Sequence, residues 1–98
     1  MSYEDFVLAV LDPNFYTQVG DRIRQRRRGL GLRQADLAQA LGVSFQQVHK
    51  YEAGLSEIPA SRLWLISRAL IIPVASLLPS RSLAAKDAPR LVALGISP

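Results

Sequence analysis

Gln34-Ala35-Asp36-Leu37-Ala38-Gln39-Ala40-Leu41-Gly42-Val43-Ser44-Phe45-Gln46-Gln47-Val48-His49-Lys50-Tyr51-Glu52 is the stretch that decides the fold. Leu37, Ala38 and Leu41 recur at helical spacing, so a short helix is expected over residues 34–41. Gly42 follows, the residue best able to take the left-handed conformation that turns a chain abruptly out of a helix. Ser44 and Gln47 then form an S-x-x-Q capping box, which starts a second helix at Phe45. That helix ends near Glu52 or Ala53, before Gly54. Two short helices joined by a tight turn are therefore expected.

Upstream, Val19 and Ile23 are the inward positions of a helix over residues 18–28, with Thr17 as its N-cap and most of its arginines facing outward. Gly29 and Gly31 stop it. Downstream, Pro59 suits a helix entry, and Leu63, Ile66 and Leu70 mark the core face of a helix over residues 60–70. Pro73 closes that segment, and residues 74–78 add at most one turn. Near the start, Tyr3, Phe6, Val7, Val10 and Leu11 fall at i, i+3, i+4, i+7 and i+8, the stripe of an amphipathic helix ended by Asp12-Pro13-Asn14. Residues after Pro79 read as a tail, with a short helix over residues 89–94 at most. The expected division is residues 1–16 as amphipathic helix and linker, 17–78 as the folded domain, and 79–98 as the tail. No strand and no internal repeat is expected.

Composition narrows the function. A chain of 98 residues with 49% hydrophobic and 20% charged residues folds around one small core and has little room for an enzymatic pocket. The absence of cysteine excludes disulfides and thiolate metal sites. His49 is the only histidine and reads as a polar surface residue, so neither a metal cluster nor a nucleophilic triad can be assembled around it. No cofactor is expected. The acidic start is unlike a secretory signal and no apolar run is long enough to span a bilayer, so a soluble cytoplasmic protein is expected. Twelve Lys plus Arg against eight Asp plus Glu give a net charge of +4. Arg22, Arg24, Arg26, Arg27, Arg28 and Arg33 are concentrated in one segment. Such a run is either a solvated helix face or an electrostatic footprint for nucleic acid.

The two helices of residues 34–52 have the dimensions of a helix-turn-helix. Val43, Val48 and Tyr51 can face a core while Ser44, Gln46, Gln47 and Lys50 project from the opposite side. Glutamine can bond adenine through N6 and N7, and lysine can reach guanine O6 or N7. Val19-Gly20, Arg22-Ile23-Arg24, Gln34, Leu37-Ala38, Leu41-Gly42-Val43, Ser44 through Val48, Lys50-Tyr51-Glu52, Gly54, Ile58 and Ala60 through Leu63 together resemble the phage-repressor-like XRE family, especially its alphaproteobacterial transcriptional regulators.

The resemblance implies an all-α, compact four- to five-helix lambda-repressor-like DNA-binding domain, here with an extra N-terminal amphipathic helix. It implies base or adjacent phosphate contacts from Ser44, Phe45, Gln46 and Lys50, with Gln47 flanking. Phe45 could pack against thymine methyl groups or tuck beneath the turn. Gln34 matches a phosphate-binding position; Arg24 and Arg33 are expected as further phosphate contacts from their place in the basic cluster. The family's inter-helix ion pair maps onto Arg27 with Glu52, with Arg26 as a substitute for the arginine. Arg33 stands where Ser or Thr often caps the helix, Ile71 where Gly, Asn or Asp is common, and Ala53 and Leu55 where polar residues are frequent. The leading expectation is a homodimeric repressor on double-stranded DNA. Its dimer would use Phe6, Val7, Val10 and Leu11, paired with themselves or docked beside Val74, Leu77 and Leu78. The alternative is an antitoxin-like module that binds DNA and a protein partner. A membrane-surface role is disfavoured by Glu4 and Asp5 on the polar side of the first helix.

Overall fold

A computed structural model describes Ser2 and residues 14–79, and residues 14–79 form one compact unit. The described chain is all-α: α1 (Phe15–Gly29), α2 (Gln34–Leu41), α3 (Phe45–Ala53), α4 (Ala60–Ala69) and α5 (Val74–Leu77). The amphipathic stripe of Phe6, Val7, Val10 and Leu11, and the tail beyond Pro79, lie outside the described residues.

α3 packs against both α1 and α2, α4 packs on α2, and α5 closes the bundle against α4 and α1. Val19, Ile23, Leu37, Ala38, Leu41, Val48, Tyr51, Ile58, Ile66, Leu70 and Leu77 form the core. α1 starts earlier than Thr17 because Phe15 and Tyr16 pack against that core and meet edge to face, with ring centroids 5.0 Å apart. Asn14 occupies the N-cap position, and its carbonyl accepts from the Gln18 backbone N–H at 2.9 Å. Leu77 is wholly buried in the chain's own core, so it is not available to receive a neighbouring subunit beside Val74 and Leu78.

The turns follow from local chemistry. Gly42 lies at φ 68° and the Val43 N–H returns to the Ala38 carbonyl at 3.1 Å, ending α2 as its sequence anticipates. Ser44 Oγ accepts from the Gln47 N–H at 3.1 Å, but the Gln47 side chain donates to Ser56 Oγ instead of reaching back, so only half of the capping box forms. At α2 the opposite half forms. Arginine has no acceptor to offer, and the Arg33 N–H instead donates to Asp36 Oδ2 at 2.8 Å. Ile71 has φ 52°, a left-handed conformation unusual for a β-branched residue, as α4 turns toward α5.

Gly20 fixes the distance between α1 and α3. A Cβ there would lie 2.3 Å from the Tyr51 carbonyl oxygen and 2.6 Å from that of Glu52. Only a residue without a side chain lets the two helices approach so closely. Gly54 is constrained twice, by φ 72° and by the Thr17 backbone, which its Cβ would meet at 2.7 Å.

Candidate nucleic-acid interface

α3 is anchored along its inner side by Val48, Tyr51 and Glu52, all buried. The anchor includes a charged centre. Arg27 Nε donates to Glu52 Oε2 at 2.6 Å and Arg27 Nη2 to Oε1 at 2.9 Å, a bidentate pair with both residues buried. Arg27 Nη1 also donates to the Leu32 carbonyl at 2.7 Å, and Gln34 Nε2 donates to Glu52 Oε1 at 3.0 Å. Arg24 Nε stands 3.5 Å from the same oxygen. α1, α2 and α3 therefore meet on one carboxylate.

Burial pushes the Glu52 carboxyl up, but hydrogen bonds from Arg27 and Gln34, with the charges of Arg27 and Arg24, outweigh it and hold the group below its ordinary value. Arg27 is raised chiefly by its hydrogen bond to Glu52, against burial and with further help from the carboxylate's charge. The arginine in this pair is Arg27. Arg26 is used elsewhere, donating from Nε to the Leu70 carbonyl at 2.9 Å and from Nη2 to the Ile71 carbonyl at 3.0 Å.

The outward side of α3 carries Phe45, Gln46, His49 and Lys50, all exposed, with Ser44 exposed just before it. Phe45 is 52% exposed and so does not tuck beneath the turn. Gln47 departs from the expected outward set: it is half-buried and tied to Ser56. Ser44 Oγ is already occupied as the helix cap. Two further residues, His49 and Leu55, border this face. His49 follows Phe45 by four residues, and that spacing alone would have placed it on the same side. Leu55 is brought beside them by the left-handed turn at Gly54, which helical periodicity does not foresee.

The basic segment divides by geometry. Arg22 donates to the Leu78 carbonyl, Arg26 holds the end of α4, and Arg27 is buried, so these three bind the fold together. This corrects the expectation of a mostly outward-facing row. The chain folds back over α1, and the carbonyls freed where α4 and α5 end need donors. Arg28 is exposed, Arg24 is partly exposed beside Glu52, and Arg33 pairs with Asp36 through Nη2 at 3.0 Å. Hydrogen bonding to Asp36 raises Arg33 and, reciprocally, lowers Asp36. The Gln34 amide nitrogen is engaged with Glu52. Among the described residues, no three His, Cys, Asp or Glu side chains gather as a metal site, and no helix is long and apolar enough to cross a membrane.

The chain matches the Helix-turn-helix family model HTH_3 over residues 23–77, more than half of its length and including α2, the turn at Gly42 and α3. The chain belongs to this helix-turn-helix family. A transcriptional regulator in the ATPase CF(0) region of Rhodospirillum rubrum is 55% identical over 56 residues, covering 57% of this chain and 52% of the relative. An HTH-type transcriptional regulator of Sinorhizobium medicae is 52% identical over 56 residues, covering 57% of this chain and 40% of the relative. The chain spans about half the length of these HTH relatives or less. The crystal structure of the restriction-modification controller protein C.AhdI from Aeromonas hydrophila matches with a TM-score of 0.61 and 27% identity, over 63% of this chain and 94% of that one. These similarities bear out the lambda-repressor-like fold and the XRE-type resemblance to alphaproteobacterial regulators. The names of the HTH_3 relatives agree with a non-enzymatic reading.

Proposed function

We propose that this HTH_3 protein is a sequence-specific transcriptional regulator that places α3 in the major groove of double-stranded DNA. The observation that carries the reading is the two-sided character of α3. Its inner side is fixed by Val48, Tyr51 and the pair of Arg27 with Glu52, while Gln46 and Lys50 stand exposed on its outer side. A rigidly held helix with hydrogen-bonding side chains in water is what base reading requires. Ser44 and Phe45 enter the groove with them, Gln47 flanks, and Arg24, Arg33 and the Gln34 end of α2 position the phosphates.

The regulator acts as a homodimeric repressor in the cytoplasm, occupying a near-palindromic operator whose half-sites are about one helical turn, ~34 Å, apart. The unit of residues 14–79 is the DNA-binding domain, the dimerising stripe of Phe6, Val7, Val10 and Leu11 precedes it, and the residues after it are a tail. A second reading, an antitoxin-like module that also binds a protein, is favoured by Trp64 and Leu65, large apolar residues left exposed on α4.

Selection of bound sites from random duplexes by the full chain tests the reading. Enrichment of a two-fold symmetric sequence supports it. An unenriched pool after successive rounds contradicts it.

A further inference from the structure

His49 is exposed on the outer side of α3, three residues after Gln46 and directly before Lys50. With Phe45, Gln46, Lys50 and Leu55 it lines an open groove of about 420 Å³. Among the described residues, no hydrogen bond or ion pair engages its imidazole. It is also the only histidine of the chain. Histidine is the side chain whose ordinary charge change falls between about pH 5 and 8, so the face proposed to read DNA carries a group that a proton can switch in the neutral range.

The charged surroundings decide what the switch responds to. Arg24 and Arg27, from α1, meet Glu52 on the inner side of α3, and α2 brings the neutral Gln34 to the same carboxylate. Along the groove, Leu55 comes from outside α3 and carries no charge, and Lys50 is the charged neighbour. No carboxylate lines the groove, so the free protein offers the imidazole no anionic partner there. A DNA duplex brought against this face supplies one, and an anion close to an imidazole favours its charged form. The imidazolium is a donor at both nitrogens, and a charge-assisted hydrogen bond is stronger than a neutral one.

Resting on the placement of α3 in the major groove, we propose that His49 couples DNA binding to proton uptake. Its imidazolium donates to an acceptor of the duplex, a phosphate oxygen or guanine N7, and the proton comes from solvent as each half-site is bound. A group charged more readily in the complex than in the free protein contributes affinity that is complete at acid pH and lost as pH rises. The regulator therefore holds its operator most tightly at the acid end of the histidine range.

The test uses the full chain and a duplex enriched from a random pool. Affinity is read by anisotropy of a pH-insensitive dye, at constant salt, from about pH 6 to pH 8. The wild type is compared with His49→Gln, neutral throughout, and His49→Lys, charged throughout. Glu52, held below its ordinary 4.5, stays ionised over this range, and thermal melts at each pH confirm that all three proteins are folded. The wild type is expected to lose about fivefold in affinity across the range, the upper end for an exposed ion pair, and each variant less than about twofold.

A second comparison separates the two acceptors. If a phosphate accepts, unrelated duplexes share the fall, and the wild-type salt slope is steeper at the acid end by nearly one unit. If guanine accepts, the fall is confined to the preferred duplex and disappears when one guanine per half-site is replaced by 7-deazaguanine, which lacks N7. A wild type that is flat over the range, or a fall of wild-type size in either variant, overturns proton uptake at His49 while leaving base reading by α3 intact. A pool that enriches nothing overturns both.

Discussion

Arg27 on α1 and Glu52 on α3 close a bidentate ion pair, 2.6 and 2.9 Å, in the interior of the domain, and Gln34 from α2 donates to the same carboxylate. Three helices are thereby locked around one acidic group, and the helix proposed to read DNA is held from behind. Taking either partner away leaves an uncompensated buried charge.

Glu52→Ala is expected to destabilise the domain by about 3–5 kcal/mol in denaturant titrations. Because the Glu52 carboxyl is held below its ordinary 4.5 when folded, its contribution is complete above that value and is lost as pH falls through the depressed one. Melting temperature measured against pH should therefore show an acid loss in the wild type that is shallower in Glu52→Gln. Parallel acid slopes in the two proteins would show that Glu52 is not the linked group.

Gly20→Ala reverses the usual helix preference. Alanine stabilises an exposed helix interior by roughly 1 kcal/mol relative to glycine. Here its Cβ would lie 2.3 Å from the Tyr51 carbonyl oxygen, so α1 must move off α3. A net loss of about 1–3 kcal/mol is expected by calorimetry. A melting temperature equal to or above the wild type contradicts the close approach.

Ile71→Gly should stabilise. The residue is 76% exposed, so its side chain buries little, and its φ of 52° is strained for a β-branched residue but easy for glycine. Relief of that strain, offset by the added freedom of the unfolded chain, leaves a gain of about 0.5–1 kcal/mol. A loss of stability would mean that the isoleucine makes packing contacts that outweigh its backbone strain.

Much of this was legible in the sequence. The bounds of α2 and α3 follow from Leu37, Ala38 and Leu41, from Gly42, and from the Ser44 cap, all local signals. The start of α1 was not legible, because Phe15 and Tyr16 extend the helix by packing against residues far along the chain. The arginines show the same limit. Arg26 and Arg22 look like their neighbours in sequence, but they meet carbonyls 44 and 56 residues away, partners that no local pattern reveals. Leu55 joins Phe45 only because of the turn at Gly54, and Gln47 leaves the outer face only because Ser56 is there to accept from it.

That division of the arginines has a measurable consequence. We add the exposed Arg28 to the phosphate contacts proposed for Arg33: Arg28→Gln and Arg33→Gln should each lower the slope of log affinity against log salt by nearly one unit, with stability little changed. Arg26→Gln should lower stability, since the Leu70 and Ile71 carbonyls lose their donor, and leave the slope alone. Asp36→Asn, which frees Arg33 from its carboxylate, should strengthen binding to all sequences alike. Identical slopes for the wild type and all three arginine variants would remove Arg28 and Arg33 from the phosphate contacts.

Base reading by α3 is tested most directly by the affinities of Gln46→Ala and Lys50→Ala for the selected duplex and for every single-base-pair variant of it. Each substitution should weaken binding to the preferred duplex by about 1–3 kcal/mol and relax discrimination at one position per half-site, with melting temperatures unchanged. Wild-type affinity and unaltered discrimination in both variants would contradict the placement of α3 in the major groove.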